Sequence, residues 1–192
     1  PTIRTLSELV RAPSQLLDYG FIVFPGGFSY GDDLGAGKAW SSVLRQDFRQ
    51  ELETFVRSGR PVLGVCNGFQ VLLKAGLIPR SNEHDVVWST EPPATLTNNA
   101  SGQFECRWVR LEPDPESNCA FTKYLDAPID CPVAHGEGRV HVRDEAALNA
   151  LKAAGQIAFR YVSRTGDDVE YPTNPNGSVD HIAGLCNPQG NV

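Results

Sequence analysis

Residues 61–65, Pro-Val-Leu-Gly-Val, run without a polar break into Cys66-Asn67-Gly68 and then into the helix-period stretch 69–75, which Gly76 stops. An apolar run of strand length that turns at once into a helix constrains the fold more than any other feature of the chain. Such a run, lacking polar alternation, suits a strand buried on both faces of a parallel sheet. Residues 20–25 repeat the arrangement, with Phe21-Ile22-Val23-Phe24 closed by Pro25-Gly26-Gly27. Between the two runs, residues 39–57 carry Trp40, Val43, Leu44, Phe48, Leu52, Phe55 and Val56 at helical period, and Ser58-Gly59 ends them. Strand, helix, strand, helix in this order implies right-handed crossovers and a mostly parallel sheet.

The remainder changes character. Residues 6–17 have helix-like apolar intervals interrupted by Pro13. Residues 81–101 are polar, contain Pro92-Pro93 and Asn98-Asn99, and read as a loop or insertion. Residues 103–111 alternate as a strand. Residues 129–133 and 138–142 read as strands around the turn His135-Gly136-Glu137-Gly138. Residues 144–154 form a helix with Asp144 as N-cap and Gly155 just past its end. Strands follow at 156–162 and 181–186, with a turn at 174–178. The expected class is α/β: a mostly parallel central sheet with helices on both faces and a small antiparallel addition. A length of 192 residues suits a single domain, 1–192.

Several functions are disfavoured. A formal net charge of −6 speaks against bulk binding to nucleic acid or an anionic membrane, although a local basic pocket could still hold a phosphate. The longest apolar runs have strand length, well short of the roughly 20 residues of a membrane span. The N-terminal stretch is polar and amphipathic, unlike a signal peptide. Five cysteines, an odd count without a Cys-x-x-Cys pair, fit neither a disulfide scaffold nor a zinc ribbon and suggest a reducing cytoplasm. Gly35-Ala36-Gly37-Lys38 fails as a phosphate loop, because Asp32 stands at the first glycine position and Ala39 at the magnesium-binding hydroxyl. His135-Gly136-Glu137 resembles the His-x-Glu of zinc deaminases, but no Pro-Cys-x-x-Cys follows. Asp32-Asp33 suits a solvated or helix-capping pair better than a metal site, and no metal is expected. Asn99-Ala100-Ser101 is sequon-like, which matters only in a secreted protein. The chain has no methionine, begins at Pro1 and stops at Val192, and is expected to be a piece incomplete at the N- and C-termini.

Gly64-Val65-Cys66-Asn67-Gly68 fits a nucleophile elbow with Cys in place of Ser. The glycines relieve crowding where a strand turns sharply into a helix and the nucleophile is strained. The helix points its free N–H groups and positive end at the sulfur, which favours thiolate over thiol. The Asn67 N–H points into the same space and could donate to a tetrahedral oxyanion. Gly26 and Gly27, also at a strand end, could supply the second donor. The same residues also fit a small buried cysteine in a glycine-bearing turn.

The segment 64–70 resembles the nucleophile motif of class I, or triad, glutamine amidotransferases. Within them, the glutaminase components of phosphoribosylformylglycinamidine synthases are the most similar. Matching stretches are Pro25-Gly26-Gly27-Phe28-Ser29-Tyr30-Gly31-Asp32, residues 63–70, Val133-Ala134-His135-Gly136-Glu137-Gly138, Asn176-Gly177-Ser178 and Ile182-Ala183-Gly184, in the family's order. The resemblance implies a flavodoxin-like fold and a Cys66 thioester formed on glutamine, releasing ammonia and then glutamate. The ammonia serves an ATP-dependent synthetase of purine biosynthesis. By position it assigns Gly26 and Gly27 to the oxyanion loop, Asn67 and Gly68 to the helix start, Gln70 to holding glutamine, and His135, Gly136 and Glu137 to the pocket wall facing the partner. It implies no cofactor in this domain. ATP and magnesium belong to the synthetase partner, with or without a small third subunit.

Family members also carry a Pro-His-Pro-Glu motif soon after the strand matching residues 190–192, its His the general base and its Glu the orienting group. No such motif occurs in this chain. The segment alone is therefore expected to have little glutaminase activity, and the intact protein to have it. Of His84, His135, His141 and His181, only His135 sits in a glycine-rich turn, where a pocket or interface role suits it better than that of base. Two other functions remain open: a non-catalytic docking module of the same synthase, and a different cysteine-elbow enzyme of similar fold.

Overall fold

The computed structural model describes residues 1–80, 88–89 and 91–192. Helix α1 (Leu6–Arg11) starts at Thr5, whose hydroxyl accepts from the Glu8 N–H while the Glu8 carboxylate accepts from the Thr5 N–H, a reciprocal capping box. A 3-10 turn, Pro13–Asp18, follows where Pro13 removes a helix donor. Strand β1 (Ile22–Phe24) lies parallel to β2 (Val62–Gly64), with Phe24 opposite Gly64. Helices α2 (Lys38–Asp47) and α3 (Arg49–Arg57) join them, and α4 (Asn67–Ala75) leaves β2 directly. The Val62 N–H donates to the Asn191 carbonyl at 2.8 Å, so the last residues lie along the other edge of β2.

The continuous helix expected over 39–57 is two helices. Phe48, at φ −126°, leaves the helical region, yet its N–H still reaches Leu44 C=O and its C=O still receives Leu52 N–H. Hydrophobic period does not register a break that keeps both bonds. The bend lets Leu44, Phe48, Leu52 and Phe55 all become fully buried, each burial worth roughly 1.5–3 kcal/mol. The run 21–24 is also not covered on both faces: Phe24 is buried against Trp40, but Val23 is 50 % exposed.

Strand β3 (Ala94–Thr97) corrects the reading of 81–101 as loop or insertion; residues 81–87, His84 among them, and residue 90 lie outside the described residues. Ala94 and Leu96 point into the core while Thr95 is exposed, an alternation hidden between Pro92-Pro93 and Asn98-Asn99. Next come β4 (Glu105–Pro113), β5 (Ile129–His135), β6 (Arg139–Val142), α5 (Glu145–Ala153), β7 (Ile157–Tyr161) and β8 (Ile182–Leu185). The Asp144 carboxylate caps α5 by accepting from the Ala147 N–H at 2.7 Å. Strands β5, β4, β7 and β8 form one antiparallel sheet, and β3 pairs antiparallel with β6. The turn at 135–138 therefore does not close a hairpin. It carries the chain from the four-stranded sheet to the β3–β6 pair. The α/β class stands, with a larger antiparallel share than a small addition. Among the described residues no helix is long and apolar enough to cross a membrane.

Candidate active site

Cys66 sits where β2 ends and α4 begins, at φ 53° and ψ −114°. A non-glycine residue rarely adopts this backbone, and strain of this kind costs on the order of 1–3 kcal/mol unless its surroundings enforce it. Here the packing does enforce it. A Cβ on Gly68 would lie 1.9 Å from the Phe24 carbonyl oxygen, and one on Gly64 would lie 2.6 Å from Leu72 Cδ1 and 2.8 Å from the Gly68 oxygen. The glycines let α4 sit directly against the ends of β1 and β2. The Val65 N–H donates to Phe24 C=O, and the Gly68 N–H to Val65 C=O, locking the turn. The thiol is exposed, at the carboxyl ends of two parallel strands, where α/β sheets bind ligands.

The glycine loop faces it. A Cβ on Gly26 would approach Cys66 Cβ to 3.1 Å and Sγ to 3.5 Å, so Gly26 leaves room beside the Cys66 side chain. Gly27 meets nothing within 4 Å but holds φ +129°, a conformation that favours glycine. Asn67 opens α4, so its N–H has no carbonyl ahead of it in the helix. Its buried side chain is committed: Oδ1 accepts from the Ser29 N–H at 2.9 Å, and Nδ2 donates to Gln70 Oε1 at 3.0 Å. Gln70 in turn donates from Nε2 to the Glu137 carbonyl at 2.8 Å. The structure thus places the Gln70 amide between α4 and the 135–138 turn.

That turn is held by Asn99, which the sequence marked only as sequon-like. Asn99 Nδ2 donates to the carbonyls of His135 and Gln103, while Oδ1 accepts from the Gly138 N–H and faces His135 Nδ1 at 3.0 Å. Asn99 is buried and engaged inside the fold. Burial holds the His135 imidazole below its ordinary pKa, outweighing a backbone hydrogen bond and the Glu105 carboxylate, so the ring is neutral at pH 7 and Nδ1 donates to Asn99. Its Nε2 is buried without a hydrogen-bond partner among the described residues. Gly138 makes room for the ring, because a Cβ there would lie 2.4 Å from it. Gly136 is exposed, and its carbonyl accepts from the Asn99 N–H.

Cys66, Phe69, Gln70, His135, Glu137 and Gly138 line a cavity of about 540 Å³ that is also lined by β2 and the four-stranded sheet. Gly26, Gly27, Asn67, Gly68 and Gly136 are not among its lining residues; the first four form the floor and rim of the elbow. His141 and His181 lie on β6 and beside β8, away from this cavity. No described side chain hydrogen-bonds to Cys66 Sγ. All five cysteines are free.

Sequence reading placed Glu137 in the pocket wall but missed the partners of its carboxylate. Its Oε1 accepts from the Ala36 N–H at 3.0 Å and its Oε2 pairs with Lys74 Nζ at 2.9 Å. Burial pushes this carboxyl up, but Lys74, the Ala36 N–H and Lys38 outweigh it and hold the pKa below the usual value. Asp32 is displaced the other way, by burial first and then by the Glu137 charge, against the Gly37 N–H and Lys74.

An exposed, strained cysteine at a strand-to-helix turn, faced by a glycine loop, defines an α/β protein of the cysteine-elbow class. The chain belongs to the CobB/CobQ-like glutamine amidotransferase domain family, whose model matches residues 2–192. Phosphoribosylformylglycinamidine synthase subunit PurQ of Treponema denticola is 43 % identical over 202 residues, covering 100 % of this chain and 74 % of that one. The subunit of the same name from Methanococcus maripaludis is 39 % identical over 191 residues, covering 97 % and 67 %. A solved structure, PurLQS from Thermotoga maritima, superposes with a TM-score of 0.64 at 32 % identity, covering 91 % of this chain and 66 % of the other. The chain thus spans about two thirds to three quarters of the length of these three proteins.

Proposed function

We propose that this chain is the glutaminase part of a phosphoribosylformylglycinamidine synthase, with Cys66 as its nucleophile. The observation that carries the proposal is the φ 53° elbow at Cys66 with Gly26 beside its side chain, in a chain whose relatives bear that enzyme's name. In this reading the sulfur attacks the side-chain amide carbon of glutamine. The oxyanion is received by the Asn67 N–H and by amides of the glycine loop, which are preorganised at the point where charge develops. Collapse expels ammonia and leaves a γ-glutamyl thioester, which water cleaves to glutamate and free thiol. The base that takes the thiol proton, assigned by family resemblance to a Pro-His-Pro-Glu histidine, has no counterpart bonded to Cys66 among the described residues. The neutral His135 lines the pocket and serves as wall. In this reading ammonia passes to a synthetase partner, where ATP and magnesium act; the relatives' name, phosphoribosylformylglycinamidine synthase subunit, supports a partner of this kind.

Labelling with a glutamine-mimicking electrophile tests this reading. In the complete enzyme, stoichiometric modification is expected at Cys66 and should be suppressed by glutamine. Modification spread over the other four thiols, insensitive to glutamine, would point instead to a docking module or to another cysteine-elbow chemistry.

A further inference from the structure

The loop that carries Gly26 and Gly27 is not at rest in its own preferred conformation. Phe28, Tyr30 and Asp32, none of them glycine, stand at φ 50°, 57° and 56°. Residues with side chains reach this region only when contacts from elsewhere over-determine the backbone. Two sets of contacts do so in the middle of the loop, and both come from one face of α4. Asn67, Gln70 and Lys74 are spaced three and four residues apart, so they line up along that face.

In the first set, the Ser29 N–H donates to Asn67, Asn67 donates to Gln70, and Gln70 donates to the Glu137 carbonyl. In the second, the Ala36 N–H donates to the Glu137 carboxylate, and Lys74 closes the pair at 2.9 Å. The side chains of Lys74 and Glu137 are only 17 % and 22 % exposed, so solvent screens them much less than a surface pair. Glu137 is therefore bonded to the glycine loop and to the nucleophile helix at once, through its carboxylate and its carbonyl.

We propose that the Glu137–Lys74 ion pair is a positioning element for acyl transfer at Cys66, fixing the glycine loop on the nucleophile helix so that the oxyanion donors and the sulfur keep one geometry. The proposal rests on the glutaminase reading above. Neither residue touches the reacting atoms; each acts through the loop and α4. Lost pairing lets the loop relax from its positive-φ conformation. Substrate still enters the cavity, but the oxyanion donors no longer stand where charge develops.

Two reagents separate positioning from general damage. A glutamine-mimicking electrophile needs the oxyanion site to react, whereas iodoacetamide alkylates an exposed thiol without it. In the complete enzyme, Glu137→Gln is expected to slow kcat for glutamine hydrolysis and inactivation by the mimic by roughly 10- to 100-fold, somewhat less than direct loss of an oxyanion donor. KM and alkylation of Cys66 by iodoacetamide should stay near wild type. Lys74→Gln should behave alike, which guards against a folding defect in the first variant, and Lys74→Arg should retain most of the activity. Wild-type rates with the mimic in both charge-removing variants overturn the proposal, as does an equal loss toward both reagents, which marks a merely structural pair. A wild-type enzyme inert toward the mimic instead overturns the glutaminase reading, and this proposal with it.

Discussion

Replacing Cys66 with alanine in the complete enzyme is expected to lower glutamine-dependent turnover by roughly 10⁶-fold, the scale at which a catalytic set fails when its nucleophile is removed. Turnover with ammonium ion supplied directly should survive, because that route does not use the elbow. The split follows from where Cys66 lies. It is exposed and its thiol forms no hydrogen bond among the described residues, so its side chain contributes little to the fold. Kinetic assays with each nitrogen source check both halves. Loss of both activities would mean that the variant damages assembly rather than chemistry.

Gly68→Ala should have the largest effect on stability. The added methyl would stand 1.9 Å from the Phe24 oxygen and 2.5 Å from its carbonyl carbon. Both are backbone atoms, and the same oxygen accepts the Val65 N–H at 3.0 Å, so the strand cannot give way without breaking the turn that holds Cys66. Overpacking against side chains typically costs about 1–3 kcal/mol. A clash with fixed backbone belongs at or above the top of that range. For a domain of this size that lowers Tm by at least about 6 °C, or abolishes folding. Calorimetry of the variant beside wild type measures it, and a shift below about 2 °C would mean that α4 can slide off β1 at little cost.

The elbow and the glycine loop were legible in the sequence because each is a local demand. A sharp turn with a strained residue needs glycines within a few positions, and Gly64, Gly68, Gly26 and Gly27 stand there. The order of most elements was legible for the same reason, from period and capping residues such as Asp144. Features set by distant partners were not. The bend at Phe48 preserves the hydrophobic period on both sides. Strand β3 has only two inward residues, Ala94 and Leu96, flanked by turn-formers. The 135–138 turn connects two sheets instead of closing a hairpin, which depends on pairings with β4 and β3. Lys74 and Glu137 meet across 63 residues, and His135 and Asn99 across 36, with nothing in either local pattern to mark them as partners. Gln70 shows both sides. Its position was singled out, but its bonds run to Asn67 and to the Glu137 carbonyl within the protein.

Acid quenching of the complete enzyme during glutamine turnover, followed by mass analysis of its peptides, reaches the chemistry at Cys66 most directly. A nucleophilic Cys66 predicts a γ-glutamyl adduct on the peptide that contains it, formed within one turnover and removed by hydroxylamine as a thioester is. Steady release of ammonia with Cys66 unmodified, or with the adduct on another residue, would contradict it.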